Sequence, residues 1–156
     1  QFGKLYNIQD KLLYYRVHAT QVSQKRECQQ NHSALVSRIK MLKYLAYSFN
    51  GEECKLLERI LQRNVEVTFN EVKDFFYLKE QIYLANSNIF FEPIGLKFYL
   101  TDLYKQNVKM YFTDKQSFYP TTFYQYFVIK KSFSFKLNLK EEIKLLIKSL
   151  IFYKRK

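Results

Sequence analysis

The residues with the most evident chemistry lie in the carboxy-terminal third. Lys130, Lys131, Lys136, Lys140, Lys144, Lys148, Lys154, Arg155 and Lys156 form a basic series, preceded by Phe118, Tyr119, Phe123, Tyr124, Tyr126 and Phe127. Ammonium groups neutralise phosphates and exposed rings stack on unpaired bases, so this combination suits single-stranded or looped RNA. In a chain this rich in Phe and Tyr, most rings go to the core by default. The lysines therefore carry more of the reading. A second contact is expected from Arg16, Arg26, Arg38, Lys40 and Lys43, although Arg26 and Arg38 have a competing use as ion partners of Glu27 or other nearby acids.

Other chemistries find little support in the residue pattern. His18, Cys28, His32 and Cys54 are the only His and Cys residues. Cys28 and His32 are spaced for one helix face, but no close second pair follows, as a structural zinc site requires. Two cysteines exclude a disulfide framework and favour a reducing compartment. Glu52–Glu53 and Glu141–Glu142 are paired carboxylates, yet both fall in expected first helical turns, where the macrodipole favours negative charge. Neither a nucleophile-elbow glycine pattern nor a dinucleotide or P-loop motif occurs. The reading is a binding protein without catalysis, cofactor or metal.

The elements that must position the lysines belong to a chain of 156 residues, enough for one domain with a substantial core. Hydrophobic residues make up 47% of it, and its net charge is +12. No run approaches ~18 consecutive apolar residues, so no transmembrane span is expected. Residues 1–50 hold 8 basic and 2 acidic groups, residues 51–100 hold 6 and 8, and residues 101–156 hold 12 and 4. The two ends should face a polyanion and the near-neutral middle should face protein or water. Phe, Tyr, Lys, Asn and Ile together supply 68 residues, which points to an AT-rich genome such as an organellar one.

Apolar spacing then assigns elements. Leu5, Ile8, Leu12, Tyr15, Ala19 and Val22 form a helical seam. Asn31 or Ser33 is expected to cap a second helix bearing Leu35, Ile39, Leu42, Ala46 and Phe49, making a hairpin with the first. Asn50 with Glu53 is a capping box for a third helix bearing Leu56, Leu57, Ile60 and Leu61. Val65, Val67 and Phe69 alternate with polar residues and predict a strand. A helix is expected over Leu78–Phe91, ending before Pro93. Val108–Phe112 and Tyr126–Leu137 are expected strands, with a loop around Pro120. Asn138 with Glu141 opens a final helix whose apolar face is Ile143, Leu146, Ile147 and Leu150, beside a stripe of Lys140, Lys144 and Lys148. The expected class is α+β: a helical region over 1–63 and an α+β region with a small mixed sheet over 64–156, without a firm boundary.

The central stretch Leu56-Leu57, Ile60, Val65-Glu66, Val72-Lys73, Phe76-Tyr77-Leu78 and Ile82 resembles a segment of mitochondrion-encoded small-subunit ribosomal protein three, the group that includes the fungal Var proteins. The Gly-x-x-Gly loop and glycine-rich carboxy-terminal domain of that family are absent, so the resemblance implies its amino-terminal part only. It implies ribosomal RNA and neighbouring ribosomal proteins as partners, in the mitochondrial matrix. The charge pattern leads separately to RNA. Two other readings fit the charge: a peripheral, non-catalytic subunit of a mitochondrial respiratory or ATP-synthase complex, and a DNA-binding factor using the Gln21–Gln30 cluster.

Overall fold

The computed structural model describes residues 27–45, 47–62, 65–133 and 135–155. The expected first helix, with Arg16 and Arg26, and the terminal Lys156 lie outside them. Six α-helices follow one another: α1 (Glu27–Leu42), α2 (Gly51–Leu61), α3 (Phe69–Leu84), α4 (Pro93–Thr113), α5 (Pro120–Ser132) and α6 (Leu139–Leu150), with a 3₁₀ turn at Asn86–Asn88. Among the described residues there is no strand, only an isolated antiparallel bridge between Ser117 and Lys154. The α+β expectation is therefore corrected to an all-helical fold, without the small mixed sheet.

Each misread strand has a local cause. Thr68 accepts from the Glu71 amide while the Glu71 carboxylate accepts from the Thr68 amide, so a capping box starts α3 at Phe69. The alternation before it survives only as an extended lead-in, with Val67 buried and Val65 half-buried. Val108–Phe112 lies inside α4, where Leu96, Leu100, Tyr104, Val108 and Phe112 recur every four residues on a buried face. Tyr126–Leu137 divides in two. Pro120 occupies the first helical position of α5, where its missing N–H costs nothing. Tyr126 and Ile129 are buried on that helix, and Phe135 and Leu137 then alternate inward along an extended linker. The aromatic and β-branched content that suggested strands reports packing rather than backbone preference.

The boxes at Asn50–Glu53 and Asn138–Glu141 start α2 and α6 as read. The second expected helix begins earlier than its expected caps and ends at Leu42. The helix expected over Leu78–Phe91 instead spans Phe69–Leu84, and Pro93 opens α4 rather than following a helix end. α3 and α4 form the most extensive pair; α2 packs on both, α1 packs on α2, and α5 and α6 pack on each other, with α6 also touching α4. One core cluster joins Leu57, Ile60, Phe75, Ile82, Val108, Phe112, Tyr126 and Leu145. Burial of these side chains contributes roughly 1.5–3 kcal/mol each before conformational entropy is subtracted. Among the described residues no helix is long and apolar enough to cross a membrane.

Candidate polyanion-binding surface

Helix α6 holds the most regular part of the basic series. Its inward side is polar as well as apolar. Glu141 meets Lys109 of α4 at 2.8 Å, and Glu142 meets Lys130 of α5 at 2.5 Å. The Tyr126 hydroxyl donates to Glu142 at 3.2 Å and accepts from the Leu137 amide. One and two turns further along, Leu145 and Ser149 are buried. The expected apolar face is consequently turned outward: Ile143 is 49% exposed, Ile147 52% and Leu150 62%. The alternative anchoring, with those residues on the core, would leave both carboxylates without Lys109 and Lys130.

The lysines then separate by environment. Lys131, Lys136, Lys140, Lys144, Lys154 and Arg155 are exposed, and none lies within ion-pair distance of a described carboxylate. Lys130 is committed to Glu142, whose hydrogen bond holds its ammonium above the usual lysine range. Lys148 is half-buried, with its ammonium 4.6 Å from the centre of the Phe118 ring and 5.2 Å from that of Tyr153. Partial burial, then the charges of Lys144 and Arg155, push it below that range. The basic stripe therefore continues as Lys140 and Lys144, while Lys130 and Lys148 serve mainly the fold.

The last residues join this surface through backbone pairing. The Phe118 amide donates to the Tyr153 carbonyl at 2.9 Å and the Arg155 amide to that of Gln116 at 2.8 Å. These bonds fix Lys154 and Arg155 beside the segment that leads into α5. Lys40 of α1 and Lys43 just past its end are exposed, whereas Arg38 is half-buried against a cleft lined by Tyr99, Leu103 and Gln106. This set lies on and just past α1, which packs on α2, away in the packing order from α5 and α6.

The aromatic residues divide as their competing uses predict. Phe118 and Tyr126 are buried, Phe123 is half-buried, and Tyr119, Tyr124 and Phe127 remain exposed. Only these last three are open to bases. The paired carboxylates Glu52–Glu53 border a cleft of about 520 Å³ between α2 and α3, with Arg59, Glu71 and Asp74. Glu53 closes the α2 cap and accepts from Tyr47 at 2.6 Å; Glu71 closes the α3 cap and meets Arg59 at 2.5 Å. Among the described residues no three His, Cys, Asp or Glu side chains are grouped to hold a metal ion. His32 is exposed, and Cys54 is a free thiol.

Sequence periodicity located the apolar stripe of α6 but assigned it to the wrong side. The missed signal lies in other elements: Lys109 and Lys130 are the cations that draw Glu141 and Glu142 inward. In the segment that resembles the ribosomal protein, the Leu-Leu helix is present as α2, and Val72–Ile82 is helical as part of α3. The Val-Glu strand is absent, since Val65 and Glu66 form an irregular link. No protein-family model, curated protein or solved structure matches this chain.

Proposed function

We propose that this chain is a structural RNA-binding protein of an organellar ribosome. The supporting observation is the unneutralised cationic surface formed by Lys131, Lys136, Lys140, Lys144, Lys154 and Arg155, with Lys40 and Lys43 as a second set. Acidic groups on the same elements are already held by Lys109 and Lys130, so an external anion is the remaining partner. A phosphodiester backbone offers such anions at regular spacing, and exposed Tyr124 and Phe127 offer faces to splayed bases. The AT-rich composition and the resemblance around Leu56–Ile82 support the ribosomal assignment.

The test is the salt dependence of binding to structured RNA. Each phosphate contact contributes roughly 0.7–0.9 to the slope of log affinity against log salt. Replacing Lys131, Lys136, Lys140 and Lys144 together with Gln should lower that slope by about 3 while leaving helical content unchanged. A wild-type affinity that stays level between low and moderate salt overturns the reading. Sedimentation of native particles before and after RNase treatment distinguishes a ribosomal component from a peripheral subunit of a respiratory complex.

A further inference from the structure

Helix α6 docks on the core through Leu145 but turns most of its aliphatic side chains outward. Its carboxylates, Leu145 and Ser149 face inward, and Leu139, Ile143, Leu146, Ile147 and Leu150 face outward. The apolar stripe extends past the helix through Ile151 and Phe152, which are 63% and 60% exposed. Lys140 and Lys144 run along its edge at one-turn spacing, and Lys136, Lys154 and Arg155 stand at its two ends. Phosphate binding accounts for the cations but gives these aliphatic side chains no role.

We propose that the outward face of α6 lies on an anionic lipid surface, with its aliphatic side chains at the headgroup–acyl boundary and its flanking lysines on lipid phosphates. Three observations select this occupant. The exposed aliphatic side chains lie along one helix, the form that an interfacial amphipathic helix presents to a bilayer. Its border is cationic, and Glu141 and Glu142 are paired inside the fold, so its partner must be anionic and apolar at once. Tyr119 packs near Phe152, with ring centroids 6.3 Å apart, placing a phenol and a phenyl where interfacial aromatics settle.

This proposal does not rest on the RNA reading: it shares Lys136, Lys140, Lys144, Lys154 and Arg155 with it, but its distinguishing contact is that of the aliphatic groups. The experiment is flotation of the full chain, free of RNA, with vesicles of phosphatidylcholine alone or containing phosphatidylglycerol. The chain should float with the anionic vesicles and remain below the neutral ones. Exchanging Ile143, Ile147 and Leu150 together for Gln should weaken vesicle binding by at least tenfold. These positions are exposed, so circular dichroism and the RNA salt slope should be unchanged. Full flotation of that triple variant would overturn the proposal in favour of purely electrostatic adsorption. Absence of flotation by the wild type, or a dimer by light scattering that the triple variant loses, would also overturn it and assign the ridge to protein contact.

Discussion

Among the described residues, two hold backbone conformations that their types disfavour. Ile89 has φ 51° and Phe152 has φ 53°. The left-handed region is an outlier for a β-branched or bulky residue, at a cost of roughly 1–2 kcal/mol. Phe152 follows the end of α6, where the Tyr153 amide donates to the Lys148 carbonyl at 3.0 Å. That six-to-one bond is the signature of a Schellman ending, in which glycine normally occupies the position Phe152 takes. Ile89 ends the 3₁₀ turn and is 69% exposed, so its side chain recovers little by burial. Ile89→Gly should stabilise the chain by about 0.5–1 kcal/mol, read as a higher denaturant midpoint. An unchanged or lower midpoint would mean that the Ile89 side chain offsets the strain.

At the scale of elements, the orientation of α6 makes a sharp contrast between two aliphatic residues. Leu145 is 2% exposed and Ile147 is 52% exposed. Leu145→Ala should cost about 2–5 kcal/mol, and Ile147→Ala less than about 0.5 kcal/mol, in chemical denaturation. Comparable losses would mean that α6 sits with its other face on the core. Periodicity made the existence of α6 legible, together with its capping box, but the choice of inward face depends on Lys109 and Lys130, which are remote in sequence. The same limit explains the strands that became helices. Val108–Phe112, taken alone, shows only five residues, three of them aromatic or β-branched. Its helical period becomes visible when Leu96, Leu100 and Tyr104 are read with it as one face. At Thr68 the signal was local and was missed: the Thr68–Glu71 box is as clear as the two that were recognised. Among the basic residues, the exposure of Lys140 and Lys144 was legible from the helix pattern, while the environments of Lys130 and Lys148 depend on Glu142 and the Phe118 ring.

For the whole molecule, stability should vary with pH through groups shared between helices. Lys109 holds the Glu141 carboxyl below the usual range, aided by the Asn138 cap. At Glu71, burial acts upward but is outweighed by hydrogen bonds from Thr68 and by the charge of Arg59, so the net direction is also downward. A depressed folded-state carboxyl stabilises the fold above its unfolded pKa, and this contribution disappears as pH falls through the folded value. Thermal midpoints should therefore drop on acidification below the ordinary carboxylate range. Lys109→Met should make that drop shallower, and an unaltered acid profile would count against the Lys109–Glu141 pair. At the alkaline end, the hydrogen bond to Glu53 pushes Tyr47 up to about 12. Its contribution is full below the unfolded tyrosine value near 10 and fades as pH rises toward 12.

The two ion pairs that fasten α6 give electrolyte a second point of action besides the outer cations. If the proposed RNA contact holds, screening should first strip RNA from the surface and then, at higher ionic strength, slacken the Lys109–Glu141 and Lys130–Glu142 clasps. A titration followed far enough should bend away from a straight line, with the bend marking departure of the helix from its seat.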